Sequence, residues 1–265
     1  MLHRRVVLLG GLIASAAYIR ARAAAPTDDQ ISGILDAQAS AVRTSGIVAA
    51  VSDPTGSRVF SKGYSGSAEN RPLDGESVFE IGSITKVLTA LLLADMAERG
   101  EVAVTDPVTR YLPPMNVPEW IRHITLLDLA TYTSGLPNLP CDFKFNGVNP
   151  LADYTPERVY SCLPTYALRY EPGTHYEYAN LGYGLLGLAL AMRAGKDYEA
   201  LLVERICEPL GLHSTRITLT DNMRSRLAQG HDQRLNPTPL WDLPGLAGAG
   251  AVRSTANDLT VLLEA

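Results

Sequence analysis

The sequence predicts an α+β fold in which an antiparallel sheet, flanked by helices, is interrupted by a large helical insertion. An amphipathic segment is followed by two strand-like segments, GIVAAVSD and SRVFSKGY, which meet at the turn Pro54-Thr55-Gly56 and predict an antiparallel hairpin. The long middle of the chain has mostly helical patterns, and a Gly/Ala turn and one helix follow it. We therefore expect residues 26–85 and 245–265 to form parts of a sheet domain and residues 86–244 to form a mostly helical domain.

Residues 1–25 have the features of a secretory signal peptide. Arg4 and Arg5 precede an apolar stretch from Val6 to Ile19, and small-residue cleavage sites end at Ala23 and Ala25. The paired arginines also allow a twin-arginine signal. We expect the mature chain to be periplasmic or secreted, with no stable membrane span after the signal is removed.

Composition narrows the classes of partner and cofactor. The net charge is −5 and no basic cluster follows residue 25, so a small-molecule or peptide substrate is expected and nucleic acid is not. The three cysteines lack the spacing of a zinc site, so we predict neither a metal nor a cofactor. Cys141 and Cys162 can form a disulfide in an oxidising compartment or stay as thiols, and Cys207 is expected to be buried.

Local start and stop signals place the helices along the chain. Thr125 with Asp128, and Thr255 with Asp258, each put an acid three residues after a helix cap, which is the pattern of a capping box. The run from Val87 to Ala97 is apolar on every side, so its helix is expected to lie wholly within a core. The predicted helices cover residues 28–43, 86–97, 125–132, a segment opened by residue 155, 180–195, 198–207 and 255–265.

The segment FEIGSITK places Lys86 three residues after Ser83, where an acid would normally follow a helix cap. Side chains three apart on a helix lie on one face, so the two can touch. A hydroxyl beside an amine is an arrangement that activates a nucleophile. The alternative is a surface serine and a lysine whose ammonium reaches water.

Two further segments carry weaker signals. In THYEYANLGYG, local patterns make Asn180 a helix cap and Tyr178 a packing residue. In LATYTSGLP, the pattern predicts that Gly135 is the glycine that follows the end of a helix and that Ser134 belongs to a turn. No histidine has an Asp or Ser at motif spacing and no Gly-x-Ser-x-Gly segment occurs, which disfavours an α/β-hydrolase.

Taken together, these segments resemble the penicillin-recognising serine hydrolases, especially the class C β-lactamases and their DD-peptidase and esterase relatives. The resemblance runs from about residue 28 to the last residue and implies a β-lactamase/transpeptidase-like fold. Tyr132 stands where many relatives carry His, and class C β-lactamases resemble this chain there. The segments that carry the resemblance are FEIGSITK, GEVAVTDPVTRYLP, ITLLDLATYTSGLP, EPGTHYEYANLGYGLLG, EPLGLHST and GAGAVRSTANDL.

The resemblance implies roles for the matched residues. Ser83 would attack an amide or ester carbonyl and become acylated, while Lys86 and Tyr178 would manage its proton. Asn180 would bind Lys86 and the side-chain amide of the substrate, and Asn138 loosely matches a position where class C enzymes often place a polar amide contact. The implied function is β-lactam hydrolysis, with DD-peptidase or carboxylesterase activity as alternatives.

The identity of the general base stays open at this stage. Tyr178 and Lys86 both have reference pKa values of about 10, so neither is a base at neutral pH without help. Lowering the pKa of Tyr178 by about three units needs roughly 4 kcal/mol of preference for phenolate, which a close ammonium in a dry pocket can supply. Alternatively, a desolvated neutral Lys86 acts as the base and Tyr178 relays the proton.

The family also has a third motif, a Lys- or His-led segment on an edge strand downstream of the STANDL helix, and no segment here matches it. That strand supplies the second oxyanion N–H in relatives, and losing one such donor costs about 3 to 4 kcal/mol of transition-state stabilisation. A two-stranded hairpin is also marginal by itself. We therefore expect a sheet without its C-terminal strands, and a truncated, non-catalytic ligand-binding relative is a further alternative.

Overall fold

The computed structural model describes residues 26–41, 46–144, 147–232 and 234–265, and it combines helices with short, open antiparallel sheets. The predicted signal peptide at residues 1–25 lies outside the described residues. The strands are β1 (Gly46–Asp53), β2 (Gly56–Gly63), β3 (Val78–Glu80) and β4 (Arg253–Thr255). The α-helices are α1 (Asp28–Ala41), α2 (Thr85–Glu98), α3 (Leu126–Ala130), α4 (Pro156–Cys162), α5 (Asn180–Ala194), α6 (Tyr198–Leu202), α7 (Glu208–Leu210), α8 (Asp221–Ser225), α9 (Ala247–Gly250) and α10 (Ala256–Glu264).

The predicted hairpin is present, and both flanking helices pack on it. β1 and β2 pair in register from Gly46 with Gly63 to Asp53 with Gly56. Helices α1 and α10 both contact the two strands. The carboxylate of Glu264 at the end of α10 accepts a hydrogen bond of 2.8 Å from the Ser52 hydroxyl of β1. The last helix therefore rests directly on the hairpin.

A second sheet, made by β3 and β4, was not predicted. Val78 pairs with Thr255 and Glu80 with Arg253, next to the start of α10. Strands of three residues are too short for an alternating pattern to be recognised, and Arg253 is a charged residue that is only 4% exposed. The predicted Gly/Ala turn after residue 245 is in fact the short helix α9.

The prediction that α2 is buried on every side is wrong. Leu88, Leu92 and Met96 are fully buried, whereas Val87 is 52% and Leu91 37% exposed. The apolar composition has no stripe, so the neighbouring elements alone decide which face is covered. Within the described residues, no helix is long and apolar enough to cross a bilayer.

Helix α5 is the centre of the main core. It packs against α2, α3, α6 and α9, and Leu181, Leu185, Leu186 and Leu190 are fully buried. Burying a leucine side chain stabilises a fold by about 1.5 to 3 kcal/mol. This helix therefore ties the residues before and after it to one core.

The approach of α9 to α5 depends on glycine. A Cβ added to Gly248 would lie 2.9 Å from the carbonyl oxygen of Tyr183 and 3.0 Å from the Cα of Gly187. Both neighbours are backbone atoms, which cannot rotate away. Only a residue without a side chain permits this separation of the two helices.

We expect Gly248→Ala to destabilise the protein by about 1 to 3 kcal/mol, because the added methyl group forces α9 away from α5. Urea denaturation followed by circular dichroism measures the change. Gly33→Ala in α1 is the matched control, since nothing lies within 4 Å of a Cβ there. The control should be stabilised by about 0.5 to 1 kcal/mol through helix propensity. Equal stability of the Gly248 variant and the parent would show that the contact is not tight.

Candidate active site

Ser83 lies in a single 3₁₀ turn, Gly82–Ile84, that leads into α2. Gly82 has φ of +50°, a conformation that glycine adopts without strain. Ser83 is exposed and is not the helix cap, because Ile84 occupies that position without a side-chain cap. Its hydroxyl is thus free of a capping bond, and Lys86 Nζ donates to it at 3.0 Å.

Lys86 is only 4% exposed, and its ammonium group donates to three neutral oxygens. These are Ser83 Oγ, Asn180 Oδ1 at 2.8 Å and the carbonyl of Ala249 at 2.6 Å. Burial lowers the pKa of Lys86, and its interactions with Tyr178 partly offset this. The structure therefore holds a lysine that gives up its proton more readily than an exposed one.

Tyr178 completes a triangle of polar atoms with Ser83 and Lys86. Its hydroxyl lies 2.7 Å from Ser83 Oγ and 3.3 Å from Asn180 Oδ1. Burial alone raises the pKa of Tyr178, but the neighbouring Lys86 ammonium and the hydrogen bond with Ser83 bring it below its ordinary value. Because Lys86 and Tyr178 each affect the pKa of the other, the two residues titrate as a coupled pair.

Tyr132 supports Tyr178 from a strained position. Its ring stacks on the Tyr178 ring with centroids 4.9 Å apart. Tyr132 has φ of +61°, and Thr133 N–H donates to the Asp128 carbonyl across it, which is the closure of a Schellman motif. The prediction that Gly135 follows the helix end is therefore wrong, because α3 ends at Ala130 and Tyr132 is the residue after its cap. A bulky residue in the left-handed region costs about 1 kcal/mol or more.

Asn180 is the first residue of α5 and not its cap, which is Ala179. The amide of Asn180 accepts from Lys86 through Oδ1 and donates through Nδ2 to Asn138 Oδ1 at 2.8 Å. Asn138 also accepts from the Asn180 backbone N–H at 3.3 Å. The structure thus brings both predicted asparagines to the site and orients one with the other.

Sequence reasoning missed the backbone carbonyl of Ala249, because a carbonyl group has no residue signature. The segment that carries it is held against α2 by two hydroxyls. Thr89 Oγ1 donates to the Gly248 carbonyl at 2.7 Å, and Thr85 Oγ1 accepts from Val252 N–H at 3.2 Å. Only the clustering of Gly and Ala in GLAGAGAV hinted at a close backbone approach.

A cleft of about 460 Å³ opens beside Ser83 and Asn180. A second cavity of about 550 Å³ lies along α5 and α9. None of the three residues that accept a hydrogen bond from Lys86 lines this second cavity. Of these two cavities, the first is the one that adjoins Ser83.

Cys141 and Cys162 form a disulfide, the first of the two alternatives that the sequence left open, and Cys207 is buried, as predicted, and free. Burial raises the pKa of the Cys207 thiol to about 12. Cys141, Asp142 and Cys162 lie close enough together to share an ion. Their sulfurs are bonded to each other, however, and so are not thiolate ligands.

The chain belongs to the Beta-lactamase family, whose model matches residues 28–265. The family is one of hydrolases, and the resemblance predicted from the motifs is confirmed. A class C β-lactamase from Rhodobacter sphaeroides superposes with a TM-score of 0.77 at 28% identity, over 88% of this chain and 63% of that one. The predicted β-lactamase/transpeptidase-like fold is thereby also confirmed.

Two curated relatives show the range of the family. A β-lactamase of Escherichia coli strain K12 is 32% identical over 76% of this chain and 50% of its own length. The D-alanyl-D-alanine-carboxypeptidase/endopeptidase AmpH of the same strain is 34% identical over 69% of this chain and 47% of its own length. The chain therefore spans about half the length of these relatives.

We expect Lys86→Gln to raise the pKa of Tyr178, because the ammonium that offsets the effect of burial is removed. The ring Cζ chemical shift of labelled tyrosine, followed by NMR against pH, measures this. The Tyr178→Phe variant assigns the resonance among the 12 tyrosines. Lys196→Gln, which removes a surface ion pair with Glu204, is the control and should leave the titration unchanged. An unchanged Tyr178 titration in Lys86→Gln would contradict the coupling.

Proposed function

We propose that this chain is a serine acyl hydrolase that works through an acyl-enzyme on Ser83. The observation that carries the proposal is the position of Ser83 Oγ, 2.7 Å from the Tyr178 hydroxyl and 3.0 Å from Lys86 Nζ. A serine hydroxyl needs a base within hydrogen-bond reach to act as a nucleophile. Both candidates for that base are in place before substrate binds.

In the first half-reaction, Ser83 Oγ attacks the carbonyl carbon of an amide or ester, and its proton passes to the pair formed by Tyr178 and Lys86. The C–N or C–O bond of the tetrahedral intermediate breaks, and the leaving nitrogen or oxygen takes the proton from the same pair. The product is an ester of the acyl group with Ser83.

In the second half-reaction, water attacks that ester and gives its proton to the pair. The bond between the carbonyl carbon and Ser83 Oγ then breaks, the acid leaves, and Ser83 recovers its proton. The lowered pKa values of Lys86 and Tyr178 support either assignment of the base, because each group releases its proton more readily than in water. We therefore propose that the two residues act together as one unit.

We propose a β-lactam as the substrate class, supported by the family and by the class C β-lactamase likeness. The similarity to AmpH favours a second candidate, a peptide ending in D-alanyl-D-alanine. Both substrates present an amide carbonyl to a serine, and this amide is strained in the β-lactam and unstrained in the peptide. We further propose that the chain works outside the cytoplasm, because the Cys141–Cys162 disulfide is typical of oxidising compartments.

Ser83→Ala is expected to abolish covalent labelling by a fluorescent penicillin and to change the free energy of unfolding by less than about 0.5 kcal/mol. Gel fluorescence measures the label and urea denaturation the stability. Ser225→Ala, which changes an exposed serine of α8 in the same way, should label as the parent does. Labelling that persists in Ser83→Ala would refute the nucleophile.

The fate of the label separates the candidate functions. Rapid release indicates a β-lactamase, and a stable adduct indicates a penicillin-binding peptidase. A parent chain that takes no label would favour the non-catalytic ligand-binding alternative.

Tyr178→Phe keeps the ring that stacks on Tyr132 and removes only the hydroxyl. We expect acylation or deacylation to slow by at least about a hundredfold, the usual contribution of general acid–base catalysis. Stopped-flow and steady-state kinetics with a chromogenic cephalosporin measure the two steps. Tyr176→Phe is the matched control, because this neighbouring ring is 65% exposed. Normal turnover with lowered stability would make Tyr178 a packing residue only.

A further inference from the structure

The hydroxyl of Tyr198 is a buried polar group that the proposed proton transfers do not use. Tyr198 is the first residue of α6, and Asp197 caps that helix by accepting a hydrogen bond of 2.8 Å from the Ala200 N–H. Tyr198 is 6% exposed, and its hydroxyl lies 2.6 Å from Oγ1 of Thr89, a fully buried residue of α2. The capped start of α6 therefore places a tyrosine hydroxyl against the helix that carries Lys86.

The directions of the hydrogen bonds around Thr89 follow from its single hydroxyl proton. Thr89 Oγ1 lies 2.7 Å from the carbonyl oxygen of Gly248 and 3.3 Å from that of Thr85. A carbonyl oxygen only accepts, so Thr89 uses its proton for the shorter contact, with Gly248, and Tyr198 must donate to Thr89. Burial raises the pKa of Tyr198 well above its ordinary value, so the proton that it donates is present at neutral pH. A relay of two hydrogen bonds therefore runs from α6 through α2 to α9.

The last bond of this relay lies one peptide group away from the carbonyl that Lys86 uses. The Gly248 carbonyl accepts from Thr89, and the next carbonyl, that of Ala249, accepts from Lys86 Nζ at 2.6 Å. Peptide groups are planar and rigid, so neighbouring carbonyls of a helical turn move together. A displacement of the Gly248 carbonyl would therefore also displace the Ala249 carbonyl from Lys86.

Packing fixes α9 on one side only. Close contact of Gly248 with Gly187 prevents α9 from moving towards α5. The second cavity lies beside the same segment, and Ala247, Gly248 and Ala251 line it together with Tyr198. The lining of a cavity lacks packing partners on that side, so hydrogen bonds and not close packing resist a movement of α9 into the cavity.

We propose that Tyr198 is a positioning residue, which acts through Thr89 and α9 to hold the Ala249 carbonyl against Lys86. The inference rests on the proposed function, because Lys86 belongs to the pair that is proposed to take the proton of Ser83. Tyr198 supports that pair from the far side of α9.

The relay has a consequence for the charge of Lys86. The titratable side chains that face Lys86 among the described residues are Tyr178 and Tyr183, whose ring centroids lie 5.0 and 5.8 Å from Nζ. The Ala249 carbonyl is a neutral acceptor that favours the ammonium form. Moving this carbonyl away leaves the effect of burial less opposed, so the pKa of Lys86 falls further below its ordinary value.

The test uses the full chain with lysine labelled with carbon-13 at Cε, whose chemical shift is followed by NMR against pH. The Lys86→Gln variant assigns the resonance. Tyr198→Phe and Thr89→Val each remove one hydroxyl of the relay and keep the shape of the side chain. We expect both variants to lower the pKa of Lys86 and to reduce kcat/KM for a chromogenic cephalosporin by about tenfold, the scale of a small misplacement of catalytic groups.

A double variant shows whether Tyr198 acts through Thr89. In the Thr89→Val background, Tyr198→Phe should change neither the Lys86 titration nor kcat/KM further, because the relay is already broken. Thr89→Ser keeps the hydroxyl and should titrate as the parent does. Tyr111→Phe is the control for a buried tyrosine, since Tyr111 is 8% exposed and its hydroxyl donates to Asp106. The control should lower stability without moving the Lys86 titration.

The outcomes separate this inference from the function on which it rests. Thermal melts establish that each variant is folded, and the titration in Tyr198→Phe decides alone if Thr89→Val does not fold. A Lys86 pKa that is unchanged or raised contradicts the positioning role, even where stability falls, and so do effects of the two substitutions that add in the double variant. A parent chain that is not acylated at Ser83 contradicts the proposed function instead, whereas the NMR titration still measures the contact with Ala249.

Discussion

The burial of the Lys86 ammonium is the constraint on which the rest of the site depends. A charged group removed from water is costly unless its donors are satisfied. The three hydrogens of this ammonium meet Ser83, Asn180 and the Ala249 carbonyl, which come from three places in the chain. Folding must bring α2, the start of α5 and α9 together before the lysine can be buried.

Close packing makes that meeting possible. The glycines on facing sides of α5 and α9 let the two helices approach until backbone touches backbone. The threonine hydroxyls of α2 then hold the segment after Leu246 at the distance that its carbonyl needs. Burial of apolar side chains stabilises this packing, and the small residues at the helix contacts fix the positions of the polar atoms.

The same geometry connects stability with chemistry. Desolvation lowers the pKa of Lys86, and the charge that remains on it lowers the pKa of Tyr178. Tyr132 stacks on the Tyr178 ring from a left-handed backbone position, which is a strained conformation next to the groups proposed to react. The buried cation thus supports the proposal that Ser83 acts as a nucleophile.

The sequence by itself determined the mixed fold class, the hairpin, the capping box of Thr125 with Asp128 and the pairing of Ser83 with Lys86, because each rests on residues close together in the chain. The second predicted box, Thr255 with Asp258, forms only its cap bond, because the Asp258 carboxylate accepts from Ser214 and Thr215. The sequence also named Tyr178 and Asn180, through motif resemblance and not through local physics, which favoured a packing residue and a cap. Tertiary structure alone decided the β3–β4 pairing, the exposed face of α2, the Ala249 contact and the left-handed Tyr132. Each of these depends on atoms that are distant in sequence or on backbone groups common to every residue, so no local pattern records them.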